Sequence, residues 1–184
     1  MSLFEYLAIA FSLVFSFSAM RLVGGLPQAF DPARRYWVHL CLVCAQLLAT
    51  AGIFWVFWSF RQVDWTFPHF VLVLANPSLA YFIACALIPE TGSSVESWRT
   101  YYYSIRKRLY VGVLVWGIVI AIAATVVLDR PFIYPSRAVQ ATIVAIGVAG
   151  AATSNPRVHS GIAVFSLSLV IVAAFLMFAE QSPV

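Results

Sequence analysis

Long apolar segments separated by short charged ones make up this chain. Five of the segments, each of 19 to 25 residues, contain no Asp, Glu, Lys or Arg; they are residues 36–60, 65–89, 109–128, 138–156 and 158–179. A sixth apolar segment begins at Phe4; it has Glu5 at its start and is broken only by Arg21, near its end. Since a helix of about 20 apolar residues crosses the bilayer core, the pattern predicts six membrane-spanning helices.

The predicted fold is all-α, a single bundle formed by residues 1–184. Its predicted spans are residues 4–26, 36–60, 65–88, 109–128, 138–153 and 158–179. The short connection Arg61–Asp64 predicts that the second and third helices are antiparallel neighbours. A β-barrel is excluded, because its strands are segments of about ten residues with alternating polarity.

Composition limits where a function can reside. The chain has 62% hydrophobic and 10% charged residues and a mean hydropathy of +0.92, which excludes an ordinary soluble domain. Six spans and short loops leave no room for a domain outside the membrane. We therefore expect any function to reside within the helices, at their ends, or in a partner.

The net charge of +4 predicts an orientation rather than a nucleic-acid partner. One side of the membrane receives eight bases: Arg21, Arg34, Arg35, Arg99, Arg106, Lys107, Arg108 and Arg157. Loops at the other side carry three: Arg61, Arg130 and Arg137. Because cytoplasmic loops are enriched in Lys and Arg, both termini are predicted outside the cytoplasm. One lysine among eleven bases is typical of a GC-rich genome and favours a bacterial inner membrane.

A short interfacial helix is predicted before the fourth span. Ser93 and Glu96 have the spacing of a capping box. Apolar residues then recur at helical spacing: Val95, Trp98, Tyr102, Ile105 and Leu109. The segment is expected to lie at the membrane surface and to bend into the span, with four bases toward anionic lipid headgroups: Arg99, Arg106, Lys107 and Arg108. A lipid-anchoring face is favoured over a docking site for a partner.

Small residues indicate close helix packing in the fifth span. They are Ala141, Ala145, Gly147, Ala149 and Gly150. Such spacing lets helix backbones approach closely, so we predict that this is the most enclosed helix. Packing within the chain is favoured over self-association.

The cysteines and histidines provide weak candidates for a metal or a cofactor. Cys41 and Cys44 share a face of the second span, and Cys85 falls at a similar predicted depth, so three thiols have the chemistry for a soft metal. His39 and His159 both begin spans at the cytoplasmic side, the one arrangement suitable for a haem with two axial histidines. Small apolar packing residues and hydrogen-bonded interfacial histidines are the favoured interpretations, so no cofactor or metal is expected.

Polar residues near the bilayer centre are the better candidates for a site. Gln46 and Asn76 lie about 15 Å from their helix starts. Pro77 removes a backbone donor and frees the carbonyl of Val73, so Asn76-Pro77-Ser78 predicts an interrupted helix. A site for a small uncharged solute, lined by Gln46, Asn76 and Ser78, is one interpretation. Interhelical hydrogen bonding is the other, and it is common in bundles.

Absent groups restrict the function further. No carboxylate, lysine or arginine lies near the centre of a predicted span, and many proton relays and ion-coupled carriers depend on such groups. Phosphate-binding, zincin and serine-elbow motifs are also absent, so no enzyme is predicted. Three hypotheses remain: a transporter or channel for a neutral solute, a non-catalytic membrane subunit or homo-oligomer, and a haem or metal protein.

The chain resembles small bacterial integral membrane proteins with six spans and no characterised activity. The resemblance lies in Gly24-Gly25 at the end of the first span, Tyr36–Leu40 opening the second, and Trp55 and Trp58 near its end. The aromatic and basic residues from 101 to 108 complete it. It implies six helices and a membrane location, and supplies no substrate.

Overall fold

Six α-helices contain most of the residues that the computed structural model describes, which are 3–90, 95–131, 133 and 136–179. The helices are α1 (Leu3–Ala29), α2 (Trp37–Val56), α3 (Phe67–Leu87), α4 (Trp98–Val126), α5 (Ser136–Ala152) and α6 (Pro156–Ala179). A 3₁₀ helix, Phe57–Phe60, continues α2. The described ranges contain no β-strand, so the predicted all-α fold is confirmed.

Five of these helices are long and apolar enough to cross a membrane: α1, α2 with its 3₁₀ extension, α3, α4 and α6. Helix α5 is apolar but has only 17 residues, a length of about 26 Å at 1.5 Å per residue. The length and apolar composition of these five helices are those of a multi-pass membrane protein.

The segment before the fourth span is part of α4. Ser97 caps this helix by accepting a hydrogen bond from the Thr100 backbone N–H at 3.5 Å, and the helix then continues to Val126. No separate interfacial helix occurs among the described residues, which differs from the prediction; Ser93, of the predicted capping box, lies outside them. With 29 residues, α4 is about 44 Å long and exceeds the bilayer core of about 30 Å.

At one end of the bundle, hydrogen bonds join the start of α4 to the ends of α1 and α3. The Trp98 indole N–H donates to the Gln28 carbonyl at 2.8 Å, and the Tyr101 hydroxyl donates to the Ala86 carbonyl at 2.9 Å. We call this the basic end; it contains the last turns of α1, α3 and α5 and the first turns of α2, α4 and α6. Consecutive helices therefore run antiparallel.

The closest packing is between α4 and α5. A Cβ atom added at Gly147 would lie 2.7 Å from the backbone N and Cα of Leu114, and one at Gly150 would overlap the Tyr110 ring. This contact confirms that small residues of the fifth helix permit a close backbone approach. The prediction that it is the most enclosed helix is wrong, because its alanine face is exposed: Ala141, Ala145 and Ala149.

Arginine side chains join α4 and α5 at both ends. At the basic end, the Arg106 guanidinium donates to the carbonyls of Gly150 and Ala151 at 3.0 and 2.9 Å, and to that of Thr153. At the opposite end, Arg137 donates to the Ala121 carbonyl at 3.0 Å. The same guanidinium reaches further acceptors near the end of α4, namely Thr125 Oγ1 and the Arg130 carbonyl.

The four bases expected at lipid headgroups have different surroundings. Arg106 is occupied by the carbonyls of α5, and the Arg108 guanidinium lies 5.0 Å from the centre of the Phe82 ring. Arg99, Lys107 and Arg108 are exposed. Lipid contact at the basic end remains a prediction, and exposure favours these three over Arg106 for it.

Replacing Gly147 with alanine tests the α4–α5 contact. We expect Gly147→Ala to lower the free energy of unfolding by about 1–3 kcal/mol, because the new methyl group overlaps backbone atoms that cannot rotate away. Thermal unfolding of the detergent-purified protein measures the change. Gly161→Ala in α6 is the control, since a Cβ there meets nothing within 4 Å. Equal melting temperatures for the two variants would contradict the contact.

Candidate functional site

Two buried amide side chains lie in the interiors of α2 and α3. Gln46 is 7% exposed and Asn76 is 6% exposed. Gln46 is nine residues from the start of α2 at Trp37, and Asn76 is eleven residues from the end of α3 at Leu87. These separations place Gln46 about 14 Å from the start of α2 and Asn76 about 17 Å from the end of α3. Both amides are therefore well inside their own helices.

Pro77 does not interrupt α3, which is continuous from Phe67 to Leu87. Asn76 provides the physical reason. Its side-chain Nδ2 donates to the Val73 carbonyl at 3.4 Å, and that is the carbonyl that the missing N–H of Pro77 leaves free. The predicted break is thus closed by the side chain of the preceding residue.

One polar atom of each amide has no hydrogen-bond partner in the described part of the chain. These are the donor Nε2 of Gln46 and the acceptor Oδ1 of Asn76. The Thr50 hydroxyl is bonded to the backbone carbonyl of Gln46 at 2.8 Å, so it does not reach the amide. A buried polar group without a partner costs about 1–3 kcal/mol. Gln46 and Asn76 thus present a donor and an acceptor to the bundle interior.

Ser78 does not face the bundle interior. It is exposed, and its hydroxyl donates to the Leu74 carbonyl one turn earlier at 2.9 Å. Two residues after Asn76 on a helix, a side chain points about 200° away. Of the predicted polar residues, the structure buries Gln46, Asn76 and Pro77 and leaves Ser78 on the outer face of α3.

A buried hydrogen-bonded triad lies at the basic end and includes His159. His159 Nε2 is 2.9 Å from the Thr153 carbonyl, and Nδ1 is 2.7 Å from the Tyr102 hydroxyl. A carbonyl only accepts, so Nε2 carries the proton and Nδ1 accepts from Tyr102. The Tyr102 oxygen then accepts from Tyr110 at 2.9 Å. We call Tyr102, Tyr110 and His159 the tyrosine–histidine triad.

His39 lies at the other side of the Tyr102 ring. The His39 imidazole stacks on Trp98 with 4.7 Å between ring centres. The centre of the Tyr102 ring lies 6.3 Å from the centre of the His39 ring and 5.4 Å from the centre of the His159 ring. His39 is fully buried, and neither ring nitrogen has a partner among described residues. Tyr102 thus contacts both histidines, and both nitrogens of His159 are occupied, so the proposed axial pair for a haem is not assembled.

The three cysteines are free thiols and half-buried: Cys41, Cys44 and Cys85. Within the described ranges, no group of three or more His, Cys, Asp or Glu side chains is arranged to hold a metal ion.

An open pocket of about 400 Å³ lies at the end opposite the basic end. Its lining comes from the α2–α3 connection, the start of α3 and the end of α4: Ser59, Gln62, Val63, Asp64, His69, Val127, Leu128 and Asp129. The His69 ring is bonded to the Asp64 backbone carbonyl at 3.3 Å, and both carboxylates are exposed. The pocket belongs to the surface and does not include Gln46 or Asn76.

Sequence reasoning missed the tyrosine–histidine triad. Tyr102 was assigned to a lipid-facing helix because its spacing is amphipathic, yet it is completely buried. One signal was available: Tyr102 and His159 both fall at span ends that the charge pattern places at the same side. A paired donor and acceptor at one predicted depth is what a buried polar contact requires.

No family model matches the chain, and no curated protein or solved structure does. The resemblance to six-span bacterial proteins therefore stays a prediction. The chemistry of the described side chains is the basis for the functional conclusion.

Removing one hydroxyl tests the triad. We expect Tyr102→Phe to lower the free energy of unfolding by about 1–3 kcal/mol, because Tyr110 and His159 would each lose a buried partner. Tyr103→Phe is the matched control, since the Tyr103 hydroxyl makes a longer, part-buried contact of 3.4 Å with Tyr36. Chemical unfolding in detergent compares them, and an equal loss in both variants would contradict the assignment.

Proposed function

We propose that the protein is a six-span membrane protein of the bacterial inner membrane that passes a small uncharged solute along a path containing Gln46 and Asn76. The observation that carries the proposal is that Gln46 and Asn76 are both buried and that a donor of the first and an acceptor of the second have no partner in the described part of the chain. Polar atoms left unpaired inside an apolar bundle are favourable only when something else binds them.

The residues of the bundle interior favour a solute without charge. None of the buried side chains in the described ranges is Asp, Glu, Lys or Arg. An ion within the bilayer requires a countercharge or several polar partners, and two amides provide neither. Hydrogen bonding to a neutral molecule is the chemistry that these groups support.

The proposal of six spans depends on α5. This helix runs antiparallel to α4, and arginine contacts at both ends hold the two in register: Arg106 at the basic end and Arg137 at the other. A helix fixed in this way passes through the same layer as α4. Its length of about 26 Å is close to the bilayer core, and the excess of bases at one side supports an orientation with both termini outside the cytoplasm.

Cysteine labelling tests six spans. In a background with the native cysteines replaced by alanine, Ile133→Cys and Asn155→Cys mark the two ends of α5. We expect a membrane-impermeant maleimide to label position 133 in intact spheroplasts and position 155 only after permeabilisation. Gln62→Cys, in the α2–α3 connection, is the control for the outer side. Labelling of both α5 ends from one side would show that α5 does not cross.

A non-catalytic subunit is the second candidate function. The observation that favours it is the exposed alanine face of α5, formed by Ala141, Ala145 and Ala149. Small residues on a membrane helix permit close contact with another helix, whether from a second copy or a partner. A stable partner in native mass spectrometry, together with absent solute flux, would favour this function over transport.

Solute flux through proteoliposomes tests the main proposal. The panel consists of neutral solutes of different chemistry: acetamide, urea, glycerol and xylose. We expect protein-dependent flux of at least one solute, and a loss of about tenfold in Gln46→Leu and Asn76→Leu, since 1.4 kcal/mol of lost interaction corresponds to a factor of ten.

Ser78→Ala is the control, because this serine is in the same helix but exposed. Gln46→Leu removes an unpartnered amide and is expected to retain its melting temperature, which separates lost function from lost folding. Unchanged flux in both leucine variants, or no flux of any solute, would contradict the transport proposal.

A further inference from the structure

The end of α3 at the basic end has an arginine on each side of it, one from α1 and one from α4. Arg21 of α1 donates from Nε to the Ile88 carbonyl at 3.0 Å. The Arg108 guanidinium of α4 lies 5.0 Å from the centre of the Phe82 ring. The charges of both arginines act on the Tyr101 hydroxyl, so the two guanidinium groups lie close to one point of the structure.

This arginine pair lies at the level of a membrane boundary. Helix α3 has 21 residues and a length of about 32 Å, which matches a bilayer core of about 30 Å. Its end at Leu87 is therefore expected at the boundary on the basic side. A Cβ added at Gly112 would lie 2.9 Å from the Phe82 ring, and Arg108 is one turn nearer the basic end. Arg108 is thus level with the last turn of α3, where the headgroup region begins.

The surface of α3 between the two arginines faces away from the bundle. Tyr81 and Phe82 are exposed, whereas the next two residues, Ile83 and Ala84, are fully buried. The exposed ring of Phe17 in α1 lies beside Tyr81, with 6.4 Å between ring centres. An aromatic surface at this level contacts lipid. A ligand of the arginine pair therefore has an apolar part beside its charged part.

Both guanidinium groups have donors for an anion. Arg21 uses Nε for the Ile88 carbonyl, and within the described residues its two Nη atoms make no hydrogen bond. Arg108 makes neither a hydrogen bond nor an ion pair in those ranges, only the contact with Phe82. A guanidinium presents its N–H donors in a geometry that fits phosphate oxygens. Glu90 is the nearest carboxylate along the chain, and it offsets one of the two positive charges, so the pair remains net positive.

Two phosphate-binding groups beside an exposed aromatic surface fit a lipid that has both parts. We propose that the outer face of α3 at the basic end binds an anionic phospholipid, with phosphate at Arg21 and Arg108 and an acyl chain over Tyr81 and Phe82. A lipid with two phosphates, such as cardiolipin, contacts both arginines at once. The sequence predicts headgroup contact for Arg108 but not for Arg21. This lipid site is independent of the proposed transport function.

Lipid titration of the detergent-purified protein, read by native mass spectrometry, tests the site. We expect cardiolipin to bind about fivefold more tightly than phosphatidylglycerol, and phosphatidylcholine, which has no net charge, to bind least. In Arg108→Gln, the dissociation constant of cardiolipin is expected to rise about fivefold, because a base at the membrane surface contributes about 1 kcal/mol. Lys107→Gln is the matched control, since Lys107 is exposed but points about 100° around α4 from Arg108.

Arg21→Gln tests the second arginine, and a similar fivefold weakening of cardiolipin binding is expected. Because this change also removes the bond to Ile88, Arg21→Lys is measured beside it; the lysine retains the charge and is expected to retain most of the affinity. The melting temperature without lipid reports the lost bond separately. An Arg21→Gln variant that melts lower but binds cardiolipin as the unmodified protein does would assign Arg21 to the bundle alone and overturn the two-arginine site.

Three further results would contradict the lipid site. One is equal affinity for cardiolipin and phosphatidylcholine. Another is an equal loss of cardiolipin binding in Arg108→Gln and Lys107→Gln, which would show a diffuse effect of charge. The third is displacement of cardiolipin by inorganic phosphate at the same concentration, which would show an anion site that does not recognise the acyl chains.

Discussion

Hydrogen bonds from arginine side chains to backbone carbonyls hold the ends of this helical bundle in place. The last four carbonyls of a helix have no partner within that helix, and a bilayer core has no water to supply one. Arg21 of α1 donates to the Ile88 carbonyl at the end of α3 at 3.0 Å, and Arg106 and Arg137 join α4 to α5. Each contact fixes one helix end against another.

This use of arginine explains what a sequence could and could not predict. Charge-free segments identify helices by length alone, so the all-α fold was predictable. A base at a span end looks the same in sequence whether it reaches a lipid phosphate or a neighbouring carbonyl, so the role of Arg106 was not predictable. The enclosure of α5 was mispredicted for a related reason: small residues occur on two faces, and only Gly147 and Gly150 meet a neighbour.

The candidate site was predictable in part. Gln46 and Asn76 stood out because amides are rare in apolar segments, and the structure buries both. The sequence could not predict that α3 continues through Pro77, because the Asn76 side-chain amide supplies the missing donor only in the rotamer that the structure shows.

The close contact of Gly147 with the backbone of Leu114 has a mechanical consequence. Two helices whose backbones touch and whose ends are joined by arginines resist sliding past each other or separating. Under the proposed transport function, the rearrangement that exposes Gln46 or Asn76 therefore displaces α1, α2, α3 or α6 relative to the α4–α5 pair.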